Sequence, residues 1–248
     1  MKDFNRAFKL VVSMGEMLIE CDAETLRVID TMNIVSKSLG IEEFDSFIIT
    51  NGLFATASSD GIVLAKNKQI RTHSSNLGKV EAINTLSRKI ASHEVDLYEA
   101  EKILNSIKTQ KIWPDYTTYF AAAIGCGALT GLYGGTYKDC ILSAIISVFI
   151  NGLLKYTRKK RLNGVLENLI ASISITITAV FFMYLKLGDN VDKIIIGSIM
   201  PLVPGILLTN GIRDITNNDY LSGIIRVIEA ILIASSIAVG VGLVFNFI

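Results

Sequence analysis

The spacing of apolar residues changes character three times along the chain, and each change marks a different kind of structure. From Phe4 to Ile19 apolar residues recur at helical intervals (Phe4, Ala7, Phe8, Val11, Val12, Met14, Leu18), which predicts an amphipathic helix. Thr25–Leu39 repeats the pattern with Leu26, Ile29, Met32 and Val35, and Gly40 supplies a natural C-terminal stop. The period then shortens. Ser46–Thr50, Leu53–Ser58 and Gly61–Leu64 are short apolar or β-branched segments punctuated by Asn51-Gly52 and Ser59-Asp60-Gly61, the signature of a hairpin or meander. Gln69–His73 offers one more strand, and Leu77–Ile90 and Glu94–Ile107 return to helical spacing. Residues 1–112 thus read as a small α+β domain.

From residue 113 onward the polar faces disappear. Long apolar runs alternate with short polar loops, predicting five membrane spans near 115–134, 138–156, 165–187, 193–212 and 222–247, each close to the roughly 20 residues a helix needs to cross the hydrocarbon. Trp113 and Tyr116 fit the interface before the first span, and Tyr156 the end of the second. The fourth run is interrupted by Pro201, Pro204 and Gly205, where proline removes a helical hydrogen bond. In lipid such a break is tolerated only beside protein or a watery cavity. The first span aligns Ala123, Gly127, Gly131 and Gly135, and the fifth Ala230, Ala234, Ala238 and Gly242. These small faces allow close helix contact within this chain or with another.

Composition agrees with this division. Half of the 248 residues are hydrophobic, concentrated in 113–248, and the formal net charge of +1 offers no basic surface for nucleic acid. Cys21, Cys126 and Cys140 fit no zinc or redox spacing, so neither metal nor cofactor is expected. The start MKDFNRAFKLVVSMGE is too interrupted for a signal peptide. The loop KYTRKKRLNG carries Lys155, Arg158, Lys159, Lys160 and Arg161 without an acid. The positive-inside rule therefore places it, the N-terminal domain and the 213–221 turn in the cytoplasm, with the C-terminus outside. His73 and His93 have neighbouring serines and acids, but no nucleophile elbow, metal-spaced pair or phosphate loop accompanies them, so no enzyme is indicated.

The chemistry concentrates between Met200 and Ala230. Thr209, Asn210, Arg213, Asp214, Asp219, Arg226 and Glu229 follow the broken run, and ionisable groups in or beside spans mark a site or pathway by default. A broken helix beside such groups is a pointer to a transport site. Arg226 and Glu229, three residues apart, share a helix face. Two readings of Arg213, Asp214 and Arg226 stand side by side: a salt-bridge cluster clamping the hairpin between spans four and five, or part of a pathway. Freed amides at a half-helix start suit a substrate carboxylate. Glu229, partly buried, suits a proton carrier, and Arg226 or Arg213 would pair with it or hold the carboxylate.

The series Pro204-Gly205, Thr209-Asn210, Arg213-Asp214, Asp219, Ser222-Gly223, Arg226 and Glu229-Ala230 resembles the threonine/serine exporter family. Ala23-Glu24-Thr25-Leu26-Arg27-Val28 and the stretch from Asn76-Leu77 to Leu86-Ser87-Arg88 are similar to the family's cytoplasmic region, so the likeness extends over nearly the whole chain. The resemblance implies an inner-membrane protein that exports a small polar metabolite on an ion gradient. It also implies site residues Pro204, Gly205, Thr209, Asn210, Arg213, Asp214, Arg226 and Glu229. Full-length members carry about ten spans where five are expected here, a pattern similar to the split branch. A second small membrane subunit, a homo-oligomer or both are the expected partners besides lipid, and the substrate stands open between threonine or serine and a dicarboxylate such as succinate. The competing class is a membrane-anchored regulatory or enzymatic domain. Against it, one helix suffices for anchoring, and an anchor has no use for Pro204-Gly205 or Glu229.

Overall fold

The computed structural model describes residues 2–70, 75–109, 114–160 and 162–247. His73, named above as a histidine without catalytic context, Trp113, named as an interface anchor, and Arg161, named for topology, lie outside them. The chain is mostly helical, with one small sheet, and it divides into two units. Met1–Ile112 groups with Ile206–Ile228, and Trp113–Gly205 groups with Glu229–Ile248.

In the first unit, α1 (Lys2–Glu20) and α2 (Thr25–Ser38) precede a meander of β1 (Glu43–Ile49), β2 (Gly52–Ser59) and β3 (Ile62–Gln69). α3 (Leu77–Ala91) and α4 (Leu97–Thr109) follow. The central element is α1. From Ala7 to Ile19 it is buried on most of its circumference, against α2, α3, α4 and the sheet. Gly15 makes this approach possible, since a Cβ there would collide with Met32 of α2 and lie 2.9 Å from Leu53 of β2.

The sheet is antiparallel in the order β1-β2-β3. Its second turn is the two-residue loop Asp60-Gly61, with φ of +50° and +74°, the double left-handed turn that matches strand twist. Its first turn differs from expectation. Ile49 pairs with Gly52, so the loop is Thr50-Asn51 and Gly52 already belongs to β2. β3 runs on to Gln69, the first residue of the fourth strand expected at Gln69–His73, and residues 71–73 of that expectation lie outside the described residues. Ile48, Leu53, Ala55 and Ala57 point to the core, and Phe47 and Phe54 pair on the outer face with ring centroids 6.2 Å apart.

The second unit contains α5 (Asp115–Leu132), α6 (Tyr137–Lys159), α7 (Gly164–Tyr184) and α8 (Val191–Ile199). A 3-10 turn at Met200–Leu202 follows, then the start of α9 (Gly205–Thr216) and most of α10 (Tyr220–Phe247). Three of these helices are long and apolar enough to cross a membrane among the described residues: Tyr137–Thr157, Gly164–Tyr184 and Tyr220–Phe247. Val191–Leu202 with Gly205–Thr216 makes a fourth if the two count as one broken span. The helix at the first expected span, α5, is not among them. Asp115, Thr117, Thr118 and two tyrosines occupy its first two turns and dilute its hydropathy. Val203 ends the 3-10 turn in extended conformation (φ −66°, ψ 124°), the geometry forced on a residue preceding proline.

Glycines set the helix contacts here. A Cβ on Gly127 would lie 3.0 Å from the Cys140 carbonyl, and one on Gly197 the same distance from the Cys126 carbonyl, so α5 lies tight against α6 and α8. On α10 the contact runs through Gly240, where a Cβ would lie 3.0 Å from the Leu169 carbonyl of α7, while Ala234, Ala238 and Gly242 stay exposed. At one end Asp139, fully buried, ties two loops together. It accepts from the backbone N–H groups of Thr136, Asp189 and Asn190 and from Asn190 Nδ2, all at 2.8–3.1 Å.

Candidate functional site

The family-like residues of α9 and α10 meet because two glycines let the helices touch. Gly223 lies so close to α9 that a Cβ would sit 2.7 Å from the Gly211 carbonyl, and one on Gly211 would sit 3.1 Å from Arg226 Cβ. The contact brings Asp214, one turn beyond Gly211, to Arg226, one turn beyond Gly223. Between the helices Asn218 adopts φ +66° to close the turn, and Asp219 caps α10 by accepting from Ser222 N–H at 3.3 Å.

What fills the mouth of this hairpin is the turn between α1 and α2, nearly 190 residues earlier. Asn210 Nδ2 donates to the Asp22 carbonyl at 2.9 Å, and Arg226 Nη2 to the Ala23 carbonyl at 2.9 Å. Arg213 Nη1 and Asn217 Nδ2 hold the two carboxylate oxygens of Glu24 at 3.0 and 3.1 Å. Asp214 accepts from Thr25 N–H at 3.3 Å and from Thr25 Oγ at 3.2 Å. Thr25 opens α2, and its own N-cap, Glu24, makes no side-chain cap bond. The distant Asp214 carboxylate takes that place, where the helix dipole favours negative charge.

Burial decides how strongly this clasp matters. Arg226 is 4% exposed and Asp214 1%, with Nε and Oδ2 3.2 Å apart. A pair so desolvated is costly to form, but losing one partner costs more, about 3–5 kcal/mol. The Arg213–Glu24 pair, with Arg213 60% exposed, is a rim contact of little net energy. The clasp is incompletely satisfied. Arg226 Nε and Nη1 and Ser222 Oγ are buried without a hydrogen-bond partner among the described residues.

The structure thus brings four of the eight candidate residues together: Asn210, Arg213, Asp214 and Arg226. Pro204 and Gly205 stand at the start of α9, with Gly205 N–H donating to the Val203 carbonyl at 2.8 Å. Thr209, one turn on, is exposed and donates to the Ile206 carbonyl. Glu229 is exposed on α10 and makes no hydrogen bond or ion pair among the described residues. Sequence reasoning missed the other half of the clasp, Asp22 to Thr25, although Ala23-Glu24-Thr25 carried part of the family likeness. It also missed Asp139, whose capping-box spacing from Thr136 was a readable signal.

A helical bundle with spanning helices, a proline-broken helix and charged residues beside it defines a membrane-embedded transport protein. Residues 9–248 match the family model described as "Putative threonine/serine exporter", and the chain belongs to that family. The family is one of transporters, not of enzymes. The chain is 22% identical over 241 residues to a "Probable threonine/serine exporter" of Mycobacterium tuberculosis, an alignment covering 95% of this chain and 45% of that protein. This chain therefore spans less than half the length of that relative. It is 20% identical over 234 residues to a "Probable succinate transporter subunit YjjP" of Escherichia coli, covering 94% of this chain and 91% of that one. A protein of the same description from Klebsiella aerogenes is 20% identical over 237 residues. No solved structure matches the chain.

Proposed function

We propose that the chain is one subunit of a secondary-active exporter that carries a small polar carboxylate, threonine or serine or a dicarboxylate such as succinate, out of the cell on a proton gradient. The relatives named as an exporter and as a transporter subunit support this reading, as does the near-complete coverage of the subunit-sized relatives. The observation that carries it is the interruption at Met200–Pro204 inside an otherwise apolar run, followed on α10 by an exposed Glu229 that has no ion pair among the described residues. A carboxylate bare in lipid is expensive, so it faces a cavity or a partner subunit.

Residues 1–112 form the cytoplasmic domain and 113–248 the membrane domain. The clasp supports this orientation, because it holds residues 22–25 and the α9–α10 turn on the same side. The break at Pro204 sets the start of α9 at Gly205, Thr209 contributes a hydroxyl, and Glu229 carries the proton. Asn210, Arg213, Asp214 and Arg226 form the cytoplasmic end of the pathway. The partner is a second small membrane subunit, another copy, or both.

The test uses cells preloaded with labelled serine, threonine or succinate and expressing the chain with its partner. Glu229→Gln reaches the membrane but no longer exports against a gradient. Normal gradient-driven export by that variant removes Glu229 from the mechanism.

A further inference from the structure

The clasp leaves donors unused. Arg226 and Ser222 lie one turn apart on α10, both buried, yet two guanidinium nitrogens and the serine oxygen have no hydrogen-bond partner among the described residues. A buried donor without an acceptor forfeits its hydration, and more so when charged. Among the described residues the one hydrogen bond the guanidinium makes is to the Ala23 carbonyl. Asp214 approaches Nε, but the hydrogen bonds its two oxygens accept come from Thr25. A guanidinium fork is built for a carboxylate, which it holds through two parallel bonds, and a lone peptide carbonyl is a poor substitute.

We propose that Arg226 is a carboxylate-recognition site for the cargo and that the α1–α2 turn, through the Ala23 carbonyl, is its resting occupant. A cargo carboxylate arriving from the cytoplasm takes the guanidinium, Ser222 adds its hydroxyl, and the Asp22–Thr25 turn releases. The inference rests on the exporter reading and sharpens it. The site admits α-amino acids and dicarboxylates alike and rejects the same molecules without their carboxylate.

Cys21 reports the state of the turn it opens. It is 7% exposed, and burial pushes its thiol pKa up, so it reacts slowly while the turn is held. In the full chain carrying Cys126→Ser and Cys140→Ser, Cys21 is the single thiol. Inside-out membrane vesicles expose the cytoplasmic face, where maleimide labelling of Cys21 is timed with and without serine, threonine or succinate. At least one of these accelerates labelling roughly tenfold, the size of ordinary coupling between sites. Serinol and threoninol, lacking the carboxylate, do not. Arg226→Gln labels fast without cargo and ignores it. Should that variant fail to reach the membrane, Ser222→Ala shifts the cargo response to higher concentration, whereas Arg213→Gln, at the exposed rim, raises the resting rate without shifting it. Labelling unaffected by all three carboxylates, or equally accelerated by serinol, overturns the proposal. Efflux from preloaded cells is measured in parallel. Export without a Cys21 response overturns this site alone, and absence of export for every compound overturns the exporter reading on which it rests.

Discussion

Asp214→Asn is the sharpest perturbation of the clasp, because it removes one charge and almost no volume. In the parent the carboxylate is 1% exposed, lies 3.2 Å from Arg226 Nε and accepts twice from Thr25. An asparagine oxygen still serves Thr25, so the cap on α2 partly survives. What is lost is the counter-charge of a guanidinium that water barely reaches. Breaking one side of a buried pair costs about 3–5 kcal/mol, and the retained cap puts this case near the lower figure. For a chain of this size 1 kcal/mol moves a melting midpoint by about 2–4 °C, so a fall of about 6–12 °C follows. The assay is a thermal melt in detergent read by a thiol-reactive dye at Cys21 in the Cys126→Ser, Cys140→Ser background. Adding Arg226→Met removes the stranded charge, and the double variant recovers more than half of the loss, since replacing both partners is far milder than removing one. A midpoint within about 2 °C of the parent for Asp214→Asn, the range of an ordinary surface substitution, refutes the reasoning. So does a double variant as unstable as the sum of its parts.

Further expectations test other joints of the fold. Gly223→Ala places a methyl 2.7 Å from the Gly211 carbonyl and against Ile215, so the α9–α10 contact opens at a cost of about 1–3 kcal/mol, visible in the same melt. Gly242→Ala meets nothing within 4 Å and leaves the midpoint level or slightly raised. Asp139→Ala strands three backbone N–H groups at the loop tie and costs at least about 2 kcal/mol, whereas Lys138→Met breaks an exposed pair with Asp189 and costs under about 1 kcal/mol. Equal melts for those two variants would show that Asp139 does not hold the loops.

Much of the secondary structure is legible because periodicity is a local property. The apolar spacing of Phe4–Ile19 foretells α1, and Pro204 foretells the break that Val203 shows in its backbone angles. The turn at Asp60-Gly61 is readable because both residues tolerate positive φ. The Thr50-Asn51 turn is not, because no residue there needs a special conformation and Asn51-Gly52 is a stronger lure. The first expected span falls on α5, whose polar opening keeps it out of the helices that are long and apolar enough to cross among the described residues. The clasp lies furthest from view. Arg213, Asp214 and Arg226 announce a site by being charged beside apolar runs, but nothing local tells that their partners are Asp22 to Thr25. Two of those four partners offer mainly a backbone carbonyl, which leaves no trace in residue type.

The central claim, gradient-driven export, is tested most directly in inside-out membrane vesicles containing the chain and its partner subunit. Export from the cell becomes uptake into the lumen, and an imposed lumen-acid gradient supplies the proton drive. The account predicts that labelled serine, threonine or succinate accumulates above its external concentration, that a protonophore abolishes the accumulation, and that Glu229→Gln vesicles do not accumulate it. Uptake of all three compounds no greater than in vesicles lacking the chain, with the protein present in the membrane, would contradict it.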